Sequence, residues 1–175
     1  SNTYTYDIYF DAGTLGKAEA EKNSSILELM DKTEKEGATD RFTMPEHPFV
    51  TKDGKWTLDS DYMQTVYGKR LSKLLQNMNF TPESTDENGN AVWKADDIDK
   101  MRSALRLRYG LCDKEGKELY DEDSATLLFC LRLDMELHNF STAEPYTVLK
   151  DVSVRLISAV SEGNVRGIGV SCEAQ

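Results

Sequence analysis

The C-terminal part of the chain carries a regular alternation of apolar and polar side chains, and this pattern constrains the fold more than any other. Between residues 129 and 137 every odd position is apolar, whereas Arg132, Asp134 and Glu136 lie between them. A period of two residues is typical of a β-strand with one buried face. The alternation returns at residues 152–156 and 168–172. Because short connections join antiparallel neighbours, we predict a three-stranded meander over residues 127–173.

Residues 4–10 show the same alternation, but three other segments repeat apolar residues at the helical steps of three and four. The predicted helices are residues 15–36, 61–78 and 96–109. A chain of 175 residues is long enough to bury one ordinary core. We therefore predict a single α+β domain over residues 1–175, with an antiparallel sheet of about four strands. The N-terminal strand and the meander form this sheet, which packs on two or three helices as a two-layer sandwich.

The chain contains 21 Lys and Arg residues and 31 Asp and Glu residues, so it is acidic, with a formal net charge of -10. This charge favours solubility and disfavours general binding to nucleic acid. Basic residues on two of the predicted helices do not outweigh it, so nucleic acid is not an expected partner. No apolar run approaches the roughly 20 residues that span a bilayer. We predict a soluble chain without a membrane span.

The three cysteines, Cys112, Cys130 and Cys172, are far apart and lack any spacing that would hold zinc. We predict that they are reduced and mostly buried, which slightly favours an intracellular location. Glycosylation sequons begin at Asn23 and Asn79, and a third lies further along the chain. The number of sequons is only slightly above the number expected by chance, so the sequons do not indicate an extracellular location.

Three Gly-centred turns carry acidic residues on both sides, near residues 53–54, 88–89 and 115–116. An EF-hand calcium loop places Gly at its sixth position, with oxygen ligands at the first, third and fifth. None of the three turns has this register. We interpret them as structural turns and predict no cofactor.

The polar side of the predicted meander is the first candidate site. Its residues are Arg132, Asp134, Glu136 and His138, together with Asp7 on the N-terminal strand. Carboxylates beside an imidazole can bind a divalent metal or act as acid and base. The solvated face of an antiparallel sheet is also ordinarily charged. We favour this second interpretation over a catalytic or metal site.

The loop after the first predicted strand is a candidate phosphate site, because backbone amides at a helix N-terminus can hold an anion. Its candidate residues are Asp11, Gly13, Thr14, Gly16 and Lys17. The spacing is not that of a P-loop. The segment Asp11-Ala12-Gly13-Thr14 resembles the phosphate motif of actin-like sugar kinases, and the acidic strand end is similar to that of ribonuclease H-like nucleases. Both resemblances imply a second strand after the loop, whereas residues 15–36 have a helical pattern. The resemblance covers about seven residues and implies no membership.

The sequence contains no nucleophile elbow and no persuasive partner for either histidine. We therefore predict a non-enzymatic interaction or assembly module. Its acidic surface would bind a basic protein partner, or free strand edges would pair it with another copy. One alternative is a metal-dependent or phosphate-binding enzyme that uses the polar sheet face or the Asp11–Lys17 loop. Another is an inhibitor that mimics nucleic acid.

Overall fold

Strand β1, Tyr4–Phe10, lies at the centre of the main sheet. In the computed structural model, which describes residues 4–174, β1 is flanked by β6, Tyr146–Val152, and by β7, Ile168–Ala174. Both neighbours run antiparallel to β1, and Ile8 pairs with one residue of each strand. The predicted strands at residues 4–10 and 168–172 are therefore confirmed.

Six α-helices and two small hairpins make up the rest of the described chain. The helices are α1 (Glu19–Lys35), α2 (Ser60–Met63), α3 (Val66–Asn77), α4 (Ala95–Arg108), α5 (Glu122–Leu137) and α6 (Val154–Glu162). One hairpin joins β2 (Phe49–Lys52) to β3 (Lys55–Leu58), and the other joins β4 (Ser84–Thr85) to β5 (Ala91–Val92). A 3₁₀ turn covers Thr39–Arg41. The α+β class is confirmed, and so are the predicted helices at residues 15–36 and 96–109, whereas the predicted helix at residues 61–78 is divided into α2 and α3. Thr65 begins α3 by accepting a hydrogen bond from the Gly68 amide at 3.2 Å.

The predicted four-stranded sheet is wrong, because the strands are divided among one three-stranded and two two-stranded sheets. The meander is wrong as well, since its best strand signal lies inside helix α5. Residues of both the odd and the even positions are buried in α5, including Cys130 and Arg132. A helix that is buried on most sides has apolar residues all around it, so its sequence does not show a 3.6-residue hydrophobic period. The apparent alternation was therefore not evidence for a strand.

Two start signals in the sequence favour helices over the meander. Asp121 accepts a hydrogen bond from the amide of Ser124 at 2.8 Å and so caps α5. Ser153 caps α6 in the same way, by accepting from the amide of Leu156 at 3.2 Å. The predicted middle strand is therefore mostly helical, and α6 connects β6 to β7. Because β1 lies between these two parallel strands, the unit is a split β-α-β arrangement.

The core is built on one face of the main sheet. Ile8 and Phe10 of β1 are fully buried there. Apolar residues of five helices join the same cluster, and α5 contributes more of them than any other element. On the opposite face Thr5, Asp7 and Tyr9 are only half-buried. Helix α5 is therefore the central element of the core, and among its charged side chains Arg132 is buried whereas Asp134 and Glu136 are partly exposed.

Strand β6 is irregular, and Asp7 stabilises this irregularity. The pairing of β1 with β6 shifts register twice, between Tyr6 and Tyr9. Within the bulge Asp151 has a φ of 52°, and its amide donates to the Asp7 carboxylate at 2.9 Å. A bulge of this kind leaves backbone groups unpaired and bends the strand. Asp7 is thus placed beside β6, away from the helix that carries the other members of the predicted polar face.

Other predictions have clear structural outcomes. Cys130 is buried and Cys112 is half-buried, but Cys172 is exposed, so the prediction of buried cysteines fails at this position; all three are free. Asn23 is fully buried and donates to the Tyr109 carbonyl at 2.8 Å, so the folded chain cannot carry a glycan there. Within residues 4–174, no helix has the length and apolar character to cross a membrane.

Candidate functional site

A groove of about 680 Å³ lies along the outer side of β6, and we call it the β6 groove. Strand β6 forms one wall, the segment 40–45 forms the other, and the C-terminal turn of α5 closes one end. It is lined by Asp40, Arg41, Phe42, Thr43, Pro45, Asp134, His138, Glu144, Pro145, Tyr146, Thr147, Val148, Lys150 and Asp151. The two walls are separated by about a hundred residues in sequence, so only the fold brings them together.

Strand β6 presents a free edge to this groove. Its only strand partner among the described residues is β1. No backbone hydrogen bond joins segment 40–45 to β6 within that part of the chain. Phe42 nevertheless has extended backbone angles, with φ -110° and ψ 133°. The groove therefore lies between β6 and a segment that begins in the 3₁₀ turn and is extended at Phe42, and the backbone groups on the outer side of β6 lack a ladder partner among the described residues.

The lining of the β6 groove is predominantly acidic. Four carboxylates, from Asp40, Asp134, Glu144 and Asp151, face two basic side chains from Arg41 and Lys150. One of those bases is already paired, since Nη1 of Arg41 lies 3.2 Å from Oδ2 of Asp151 and Nε of Arg41 lies 3.6 Å from Oδ2 of Asp40. Both partners of the Arg41–Asp151 pair are substantially exposed, so this ion pair is weak. Four carboxylates against two bases leave the groove with a surplus of two negative charges along an open strand edge.

An aromatic and acidic cluster forms the end of the groove at α5. The Tyr146 hydroxyl donates to Asp134, and Nδ1 of His138 lies 3.5 Å from the same carboxylate. The His138 ring stacks on Tyr67, with 4.3 Å between ring centroids. Burial, and then the bond to Asp134, raise the pKa of Tyr146 well above its usual range. Tyr146 is therefore a fixed hydrogen-bond donor at neutral pH, and Asp134 is held in one orientation.

The predicted polar face is divided between two sides of α5. Residues four apart share one side of a helix, so Asp134 and His138 face the β6 groove, whereas Arg132 and Glu136 face a separate cavity. On a strand all four would have shared one face. The chemistry that the sequence proposed for these residues together is therefore not available to them as a single cluster.

Arg132 is the centre of a buried polar network on that other side. Only 7% of the residue is exposed. Its Nη1 donates to Asn23 at 2.6 Å and to the Tyr109 carbonyl at 3.2 Å, and its Nη2 donates to Glu19. Glu136 accepts from the Tyr109 hydroxyl at 2.7 Å. No local pattern in the sequence predicts this network, because its members lie on three different helices or their ends.

A second ion pair completes the network. Glu136 accepts two bonds from Arg108, at 3.0 Å from Nε and 2.6 Å from Nη2. Burial raises the pKa of the Glu136 carboxyl, but the bonds from Arg108 and Tyr109 and the nearby positive charges lower it more, and the net shift is downward. Glu136 is therefore ionised at neutral pH and holds Arg108 in place.

The candidate phosphate loop is a compact turn between β1 and α1. Its Asp11 carboxylate accepts from the Thr14 hydroxyl at 2.9 Å and from the Gly13 amide at 3.4 Å. A Cβ on Gly16 would lie 2.6 Å from the Glu21 carboxylate. Lys17 is exposed. Two carboxylates thus lie close to the loop, an arrangement that does not favour an anion, and phosphate binding stays a prediction.

The acidic turns have the structural role that the sequence predicted. Asp86 accepts from the amides of Asn88 and Asn90, each at 2.9 Å, and Asp113 makes the equivalent bonds in the last turn. Among residues 4–174, no three side chains of His, Cys, Asp or Glu are close enough to hold a metal ion.

Comparison with known proteins identifies no family. No family model matches the chain, and no curated protein matches it. Among solved structures, the chain is similar to penicillin-binding protein 2B (PBP-2B) from Streptococcus pneumoniae strain 5204, with 10% identity and a TM-score of 0.30. The match covers 100% of this chain and 23% of that protein, so the chain spans less than a quarter of its length. A similarity this low carries no argument about fold or function.

Proposed function

We propose that this protein is a non-enzymatic interaction module that binds a basic, extended segment of a protein partner in the β6 groove. The observation that carries the proposal is a free strand edge within an acidic groove. The partner segment would lie between β6 and segment 40–45 and add a strand to the main sheet.

Strand addition would supply most of the affinity through backbone hydrogen bonds, which do not depend on the partner's sequence. Strand β6 contains seven residues, so a segment of similar length would cover its edge. The bulge at Asp151 would limit pairing at the C-terminal end. We therefore expect the segment to pair mainly with residues 146–149.

The side chains of the groove would supply specificity. Asp40 and Glu144 are exposed and can meet Lys or Arg side chains from the partner. Phe42 and Tyr146 offer aromatic surface against which the aliphatic or guanidinium part of such side chains can pack. The acidic lining would also speed association with a basic segment and would repel an acidic one.

A capped seven-residue peptide that alternates arginine and valine tests the proposal directly by isothermal titration calorimetry. We expect a Kd of about 1–100 µM, as is usual for short extended ligands that lose conformational freedom on binding. A peptide that alternates glutamate and valine has the same strand propensity and should not bind. Equal binding of the two peptides would contradict the charge argument.

A pair of matched double variants separates the groove from the net charge. Asp40→Lys with Glu144→Lys reverses two charges in the groove. Glu87→Lys with Glu115→Lys reverses two exposed charges on distant turns and changes the net charge equally. Each reversal in the groove should cost about 1 kcal/mol of binding, or about thirtyfold in Kd for the pair. The same loss in both variants would mean that net charge alone attracts the peptide.

Self-association is a second candidate, and a different strand favours it. The outer side of β7 also lacks a strand partner within the described residues, and Val170 on this strand is 42% exposed. Two copies could pair there through an antiparallel β7–β7 contact. Light scattering across a range of protein concentrations tests this, because Val170→Lys should convert a dimer into a monomer. A wild-type chain that is monomeric at every concentration would remove the candidate.

A further inference from the structure

A second cavity lies on the opposite side of α5 from the β6 groove, with a volume of about 410 Å³. Its polar wall contains the network of Arg132 and Glu136, and Lys22 from α1 joins them at the edge. Lys22 and Glu19 are partly exposed, so the cavity is open to solvent on this side. The proposed interaction through the β6 groove makes no use of it.

The charges around this cavity are not balanced. Three basic side chains, from Lys22, Arg108 and Arg132, line it together with two carboxylates. Glu136 is bound to Arg108. Glu19 is shared, because it pairs with Arg132 and also lies 3.6 Å from Nζ of Lys22. One positive charge is left over in a chain whose formal net charge is -10.

The fixed position of Arg132 favours the binding of an anion in this positively charged cavity. Its guanidinium is held by Asn23 and by the Tyr109 carbonyl, and it lies over the Tyr109 ring at 5.2 Å from the centroid. A cation that is buried and already oriented loses little conformational entropy when it binds an anion. Burial also strengthens its electrostatic interactions. Glu19, its only carboxylate partner among the described residues, has a side chain that is 39% exposed.

The remaining wall of the cavity is apolar. Met135 projects from α5, and Phe140 follows the helix after a turn at Asn139, which has a φ of 58°. The Phe140 amide donates to the Met135 carbonyl at 3.0 Å, which fixes the two residues relative to each other. The cavity therefore combines a cationic side with an apolar side.

We propose that this cavity binds a small organic acid. Its carboxylate would take the place of the partly exposed Glu19 carboxylate between Arg132 and Lys22, and its apolar body would pack on Met135 and Phe140. A polyvalent anion such as inorganic phosphate would match the surplus charge less well and would leave the apolar wall uncovered. The class of ligand is a monocarboxylic acid with an aromatic or short aliphatic group.

Benzoate is a suitable probe, and binding can be followed by amide chemical shifts in NMR titrations of the whole chain. We expect saturable shifts at residues of the cavity with a Kd of about 0.1–1 mM, a normal value for a ligand of this size. Benzyl alcohol has the same apolar body without the charge and should bind at least about fivefold more weakly. Equal binding of the alcohol, or no saturable shift with benzoate up to about 10 mM, would overturn the proposal.

Two substitutions with opposite expected effects sharpen the test. Lys22→Met keeps the aliphatic stem but removes a charge, and it should weaken benzoate binding about fivefold. Glu19→Gln removes the competing carboxylate and should strengthen it by a similar factor. The control is Lys114→Met, which removes an exposed charge from a distant turn and should change nothing. Identical affinities in Lys22→Met and Lys114→Met would contradict the proposed position of the carboxylate.

Discussion

Replacing Arg132 by Met should destabilise the fold through the buried acceptor that it leaves behind. Asn23 is fully buried, and its side-chain oxygen accepts from Arg132 at 2.6 Å. A buried acceptor without a partner costs about 1–3 kcal/mol. The Tyr109 carbonyl is less affected, because the Asn23 amide still donates to it at 2.8 Å. Loss of the pair with the partly exposed Glu19 adds less than about 1 kcal/mol.

The methionine retains most of the packing of the arginine stem, so we expect a total loss of about 2–3 kcal/mol. Urea unfolding followed by circular dichroism measures it, provided that the slope of the transition is unchanged. The control is Arg108→Met, which removes the partner of the partly exposed Glu136, still bound by the Tyr109 hydroxyl, and should cost less than about 1 kcal/mol. Equal losses in the two variants would refute the argument, as would a loss below about 0.5 kcal/mol for Arg132→Met.

Three other predictions concern local contacts. Gly68→Ala should cost about 2–4 kcal/mol in urea unfolding, because the new Cβ would lie 2.4 Å from the backbone of α2. Gly163→Ala should cost far less, because its closest contact, at 2.8 Å, is the flexible Lys32 side chain and the nearest backbone atom, the Ala159 carbonyl oxygen, lies 3.3 Å away. Burial and then a nearby arginine lower the pKa of His47, so the unfolded chain takes up the proton first, and stability should fall as pH decreases through about 6.5. His47→Gln should reduce this dependence, and identical pH profiles would contradict it. Iodoacetamide should label the exposed Cys172 first by mass spectrometry and Cys130 last, since burial and a nearby carboxylate raise the pKa of the Cys130 thiol to about 11.

Strand β1 and helices α1, α3 and α4 could be predicted from local patterns, whereas the two hairpins could not. Strand β1 has one face buried and one half-exposed, so its alternation is real. Helix α3 has a clear apolar stripe for the same reason, with Leu71 and Leu75 buried on one side. Patterns of this kind are informative because these elements have one face in the core and one outside it.

Helix α5 could not be predicted in this way, because burial on most sides removes the period that separates helix from strand. Its length and its cap at Asp121 were the better signals, since strands rarely exceed about eight residues. The error carried over to the candidate site. A helix places Arg132 and Asp134 on different sides, so residues predicted to share the polar face of a strand line separate cavities.

The β6 groove and the network around Arg132 depend on contacts between distant parts of the sequence. Arg132 and Asn23 are 109 residues apart, and Arg41 and Asp151 are 110 residues apart. Local periodicity contains no information about such pairs. The expectation of an acidic surface that binds a basic partner came from the composition, and it stays a prediction.

Hydrogen exchange of the backbone amides in the presence of the arginine and valine peptide tests the central claim most directly. Strand addition would give partners to amides on the outer edge of β6, so their exchange should slow by about tenfold or more at saturating peptide. Amides of β7 and α3 should exchange at unchanged rates. Saturable binding of the peptide without protection of residues 146–149, or with protection at β7 instead, would contradict the proposal that the β6 groove is the binding site.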